Sequence, residues 1–150
     1  MLDAVLLALG EVHKSTKNKR ALLIISDGGE NNSRYSQTEV RNVLREADVL
    51  VYAIGVFGGG TTPEERGGAG LLKQLAEQTG GRMLAEGWAE VPDIAKAISL
   101  ELRNRYVLGF YPSDQRRDGR YHRLRVEMIS PRGLPKLQAH WRTGYYAAGQ

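Results

Sequence analysis

At 150 residues, 41% apolar and 25% charged, the chain has the size and balance of one globular domain with a core of its own, which excludes disordered and fibrous classes. No apolar run nears the roughly 20 residues of a bilayer-spanning helix, and the amino terminus does not read as a secretory signal. With no cysteine, disulfides, thiolate nucleophiles and zinc–thiolate sites are excluded.

The net charge of +4 is uneven, with ten Lys or Arg against three Asp or Glu between Arg103 and Arg142. Clustered cations suit nucleic acid or acidic lipid. These are scattered along predicted strands, which favours a solvated face and neither a nucleic-acid nor a membrane partner.

In chain order, Leu2, Val5, Leu6, Leu9 and Val12 have the spacing of one buried helical stripe, so a helix is expected from residue 1 to about 14. No Ser, Thr, Asn or Asp stands ahead of Leu2 to cap it; a helix opening bare suggests a chain that begins inside a larger design. After a polar connector comes Ala21-Leu-Leu-Ile-Ile-Ser26, whose apolar run reads as a strand buried on both faces, as in a parallel sheet. It stops at Asp27-Gly28-Gly29, where a carboxylate sits at the strand's carboxyl end and two glycines let the backbone turn. Ligands of open α/β sheets bind just beyond such ends. The acid is either functional or braces the loop by an Asx-type hydrogen bond.

Ser36-Gln-Thr-Glu39 is a capping box opening a helix with Val40, Val43, Leu44 and Ala47 on one face. A second buried strand is expected over 48–56, then a flexible glycine loop over 57–68 at the same end of the sheet as Asp27. A third helix from about 70 to 79 stops at Gly80-Gly81, a short strand covers 82–86, and a fourth helix runs from about 90 to 104 with Pro92 in its first turn. Alternating helices and strands argue for a partial doubly wound, Rossmann-like parallel sheet over residues 1–104. From 105 to 150 the pattern changes to strands at 106–112, 121–129 and 137–142 with short turns, an antiparallel β meander that ends before Thr143-Gly-Tyr-Tyr146.

Phosphate-binding loops do not account for the 18 glycines. There is no Gly-Lys pair for a Walker loop, and neither long strand is followed by Gly-x-Gly-x-x-Gly. His13, His122 and His140 all fall away from the carboxyl ends of the parallel strands, and no base is placed to activate a nucleophile. His122 and His140 are candidates to pair across adjacent strands, with plain sheet packing the simpler reading. The acidic pairs Glu64-Glu65 and Asp114/Asp118 fall in expected loops without apolar neighbours to raise a pKa. A hard cation remains: Mg²⁺ takes oxygen ligands and keeps several waters, and Asp27 offers one carboxylate with Asn31 and Asn32 in loop reach.

Leu22-Leu-Ile-Ile-Ser-Asp-Gly-Gly-Glu-Asn31, Val49-Leu-Val-Tyr-Ala-Ile-Gly-Val56 and Leu72 to Gly81 together resemble the von Willebrand factor type A domain in its bacterial form. Tyr106-Val-Leu-Gly-Phe-Tyr-Pro112 resembles the carboxyl extension of a typically exported subgroup. The resemblance implies a non-catalytic protein-interaction module with a metal-ion-dependent adhesion site. In that family the site joins Asp-x-Ser-x-Ser, a threonine and a later aspartate. Asp27 matches the last, implying a partial Mg²⁺ site reached through water. Partner contacts are implied at Gly28, Gly29 and Asn31 on its loop and at Gly59 and Thr61 on the glycine loop. The other two metal elements are missing, so the chain resembles the carboxyl-terminal half of the domain. The strand at 21–26 then becomes an apolar edge that invites a protein partner or a second copy. The alternative is a small α/β hydrolase or nucleotide-binding protein with its site near Asp27 and the 57–68 loop.

Overall fold

The computed structural model describes residues 1–17, 19–30, 32–57, 63–85, 91–113, 116–133 and 137–149. Over these, α1 (Leu2–His13), β1 (Ala21–Ser26), α2 (Gln37–Glu46), β2 (Leu50–Gly55), α3 (Pro63–Glu77), β3 (Met83–Ala85) and α4 (Val91–Arg103) alternate, followed by β4 (Tyr121–Arg123) and β5 (Gly144–Tyr146). The first three strands form a parallel, Rossmann-like sheet in the order β1-β2-β3. β1 runs beside β2 from Ala21↔Leu50 to Ser26↔Gly55, and β3 joins the other side from Ala53↔Met83 to Gly55↔Ala85.

Strand alternation sorts the core into two layers. Leu22, Ile24, Val51 and Ala53 face Leu2, Val5 and Leu9 of α1, Val40 and Leu44 of α2, and Leu72 and Leu75 of α3. Tyr52 and Ile54 face Ile94 and Ile98 of α4. Arg82 pairs with Glu101, pinning α4 to the sheet. Burial, helped by that Glu101 carboxylate, pushes the Tyr52 hydroxyl up to about 12.

The capping box forms as expected, with the Glu39 amide donating to Ser36 Oγ at 3.3 Å and the Ser36 amide donating to Glu39 Oε2 at 2.8 Å. α1 has no side-chain cap from Met1. Glu30, far along the chain, takes that role by accepting from the Leu2 amide at 2.9 Å. Asp3 of α1 reciprocates, accepting from the amides of Arg34 at 2.9 Å and Tyr35 at 3.2 Å. Residues after β1 are thus latched to the start of α1.

Three sequence expectations need correction. β1 is the sheet's edge among the described residues, as the resemblance implied, but it is not buried on both faces: Leu23 is 45% and Ile25 56% exposed while Ile24 is 8% exposed. The expected loop over 57–68 is helical from Pro63 onward, a residue whose fixed φ suits a helix's first turn. Among the described residues the three-stranded meander is a two-stranded ladder, β4 against β5, with Tyr121↔Tyr146 and Arg123↔Gly144 in register, and its last strand lies past the expected 137–142. Residues 105–112 carry no strand, and Tyr106 and Tyr111 stand 88% and 96% exposed; β-formers without a neighbouring edge and a face to pack gain nothing from extension.

The ladder is docked on the body. Arg142 donates to the carbonyls of Arg45 and of Ala47, the latter at 3.1 Å, satisfying groups that a helix end leaves open. Arg45's guanidinium lies 4.6 Å from the Tyr121 ring centroid, a cation–π distance. His122 stacks on Tyr145 at 5.4 Å, opposite it in register, which is the simpler sheet-packing reading of that histidine and not the alternative pair with His140. No helix among the described residues is long and apolar enough to cross a membrane.

Candidate functional site

The candidate site has two parts, the loop at the carboxyl end of β1 and the strand's outer edge. In the loop, two consecutive side-chain turns fold the backbone. Ser26 Oγ accepts from the Gly28 amide at 3.0 Å, and Asp27 Oδ1 accepts from the Gly29 amide at 2.9 Å. The second is the Asx turn anticipated for Asp27. Gly28 has φ +75°, and a Cβ built on it would lie 2.4 Å from the Gly68 carbonyl. The first turns of α3 therefore rest directly on this loop, and the chain from the glycine-rich region does reach Asp27's end of the sheet. Gly28 and Gly29 sit beside Asp27 as expected; Asn31, Gly59 and Thr61 lie outside the described residues.

Glu30 holds the same loop from its far side. Burial alone raises its pKa. Hydrogen bonds from Ser33, the Leu2 amide and the amino terminus outweigh it and bring the carboxyl down to about 2. The Met1 ammonium lies 3.1 Å from Glu30 Oε2. Because the folded value lies below the unfolded 4.5, the stabilisation is complete above about pH 4.5 and is lost as pH falls through about 2. Glu30→Gln should therefore cost about 2 kcal/mol near neutrality, after a discount for partial exposure. Urea melts should show the two proteins converging as the pH approaches 2; a gap independent of pH would remove the ionic explanation.

Asn31, one of the oxygen donors expected beside Asp27, lies outside the described residues. The Asp27 carboxylate and the Ser26 hydroxyl accept from the loop's own amides, and the Glu30 carboxylate is bonded to Leu2 and Ser33. Among the described residues no group of three or more His, Asp or Glu is placed to hold an ion. Mg²⁺ is ordinarily fixed by one or two carboxylates with further oxygen donors.

The edge is more informative. The Leu50 amide donates to Arg20 O and the Val56 amide to Ser26 O, so even-numbered residues of β1 carry the ladder to β2. In a parallel pair the intervening residues point the opposite way. Ala21, Leu23 and Ile25 thus direct N–H and C=O groups outward, where no strand pairs with them among the described residues. Their side chains share the α4 face of the sheet, but α4 does not reach far enough to cover Leu23 and Ile25. Between β1 and α4 an open groove of about 470 Å³ is floored by Ala21, Ala95, Ile98 and Leu102, with Lys19 and Arg103 at its rim.

No family model, curated protein or solved structure matches this chain.

The exposed face of β1 escaped sequence reading because an unbroken apolar run does not tell which of its side chains a neighbouring helix will cover. The cations Lys17, Lys19 and Arg20 just ahead of it agree with the edge position the resemblance implied, since basic side chains commonly guard sheet edges.

Proposed function

We propose that this chain is a non-catalytic protein-interaction module of the von Willebrand type A kind, which docks a partner strand along the outer edge of β1. The observation that carries the reading is a complete row of outward backbone groups at Ala21, Leu23 and Ile25, flanked by two large apolar side chains 45% and 56% exposed. Soluble proteins shorten, charge or cover such edges unless another chain uses them. Strand addition supplies main-chain hydrogen bonds for affinity and alternate side chains for selectivity. The Asp27 loop borders this edge, held by α3 and by Glu30, and presents an exposed carboxylate to whatever docks. No metal-dependent step belongs to this reading.

Amide exchange tests it directly. In dilute protein the outward amides of Ala21, Leu23 and Ile25 should exchange on the order of 100-fold faster than those of Leu22 and Ile24, which the β2 ladder holds. Synthetic peptides of alternating apolar and polar residues should slow the outward set alone. Equal rates throughout β1, or no peptide that protects it, would remove the proposal.

A further inference from the structure

We infer that the strand docking on β1 is β1 of a second copy, running antiparallel in a register that sets Leu23 opposite itself and Lys19 opposite Asp27. The inference rests on the edge-docking reading above and names its partner.

Geometry narrows the choices. Two copies related by a two-fold axis perpendicular to their joined sheets place residues of equal parity opposite each other. Only odd-numbered residues of β1 offer free backbone groups, so odd must meet odd. With Leu23 at the axis, Ala21 of each copy faces Ile25 of the other. Every outward N–H and C=O of the three residues then finds a partner, and two three-stranded sheets become one continuous sheet.

Side chains select this register over its neighbours. It sets the Lys19 ammonium against the Asp27 carboxylate at both ends of the pair, and both residues are exposed in the single chain. It also sets each exposed Ile25 beside the other copy's Ala21, which floors the apolar groove against α4. Sliding two residues one way puts Lys19 against Ile25; sliding the other way puts Asp27 against Ala21. Either shift sets a charge on an apolar neighbour and breaks the ion pair. Knob, groove and opposite charges all lie within one short segment, as a self-complementary interface requires.

The test uses the full chain. Light scattering across a concentration series should show a monomer of 16.6 kDa passing to twice that mass. Leu23→Lys, which sets cation on cation at the axis, should abolish the transition while leaving the monomer's melting temperature unchanged. Lys19→Asp and Asp27→Lys should each weaken association about tenfold, the equivalent of about 1.4 kcal/mol, and the two together should restore it. The chain has no cysteine of its own, so Leu23→Cys should cross-link to itself on mild oxidation, the opposed Cα atoms being about 5.5 Å apart. Ile25→Cys should not. A mass fixed at the monomer, no rescue by the double variant, or cross-linking at 25 and not at 23 overturns the inference. If the whole chain stays monomeric while strand peptides still protect the outward amides, self-pairing falls and edge docking stands. If neither associates, both fall.

Discussion

Gly28→Ala is expected to lose at least about 3 kcal/mol of stability, enough to lower the melting temperature by roughly 6–12 °C in a chain of this length. Two effects add. The residue holds φ +75°, a left-handed conformation that costs a residue bearing a Cβ roughly 1 kcal/mol. The larger effect is contact: the new methyl would lie 2.4 Å from the carbonyl of Gly68, backbone against backbone, with no flexible side chain to swing aside. Relief requires the start of α3 to lift from the loop. α3 also carries Leu72 and Leu75 into the core, so that movement disturbs packing well beyond the turn. Thermal denaturation followed by circular dichroism measures the loss, and a Gly28→Ala protein melting within a degree or two of the parent would show that the close approach does not exist. Gly68→Ala provides the control from the other side, since a Cβ there would meet Asp27 O at 2.6 Å.

The second large effect separates neighbours that look interchangeable. Ile24→Ala should cost about 2–4 kcal/mol, and Ile25→Ala less than about 1 kcal/mol in dilute solution. Ile24, 8% exposed, packs into the layer formed by α1, α2 and α3; Ile25, 56% exposed, projects on the opposite face past the reach of α4. Truncating the first removes apolar contacts and leaves a cavity the surrounding helices close only in part. Truncating the second removes surface already facing water. Urea unfolding at low protein concentration measures both, and equal losses would mean that β1 is covered on both faces. At concentrations where copies pair, the Ile25 variant should lose association while its monomer stays intact.

The body of the fold was legible because its signals are local. The capping box at Ser36 and Glu39, the stripe of Leu2, Val5 and Leu9, and the alternation of helix and strand each follow from neighbours within a few turns of chain. The carboxyl-terminal region was read too generously. Tyr106 to Tyr111 has the composition of a strand, yet pairing depends on a distant edge that composition does not encode. The loop at Asp27 was legible as a turn, and its Asx hydrogen bond formed. Its supports were not: Glu30 capping α1 and Gly68 pressed against Gly28 join segments far apart in sequence. The edge position of β1 followed from the missing half of the resemblance, whereas the exposure of Leu23 and Ile25 on one face depends on how far α4 reaches, which the strand's own residues do not encode.

Thr79 links three parts of the molecule through one side chain and one backbone bridge. Its hydroxyl accepts from the buried amide of Val51 at 2.8 Å and donates to Ala76 O at 2.8 Å, while its backbone bridges to Arg142. A hydroxyl has a single proton to give, so serving as donor and acceptor together fixes its rotation. The tail is anchored by this bridge to Thr79 and by Arg142 on the carbonyls of Arg45 and Ala47, and none of these residues belongs to β1. A strand added along β1 would meet none of the contacts that hold the tail.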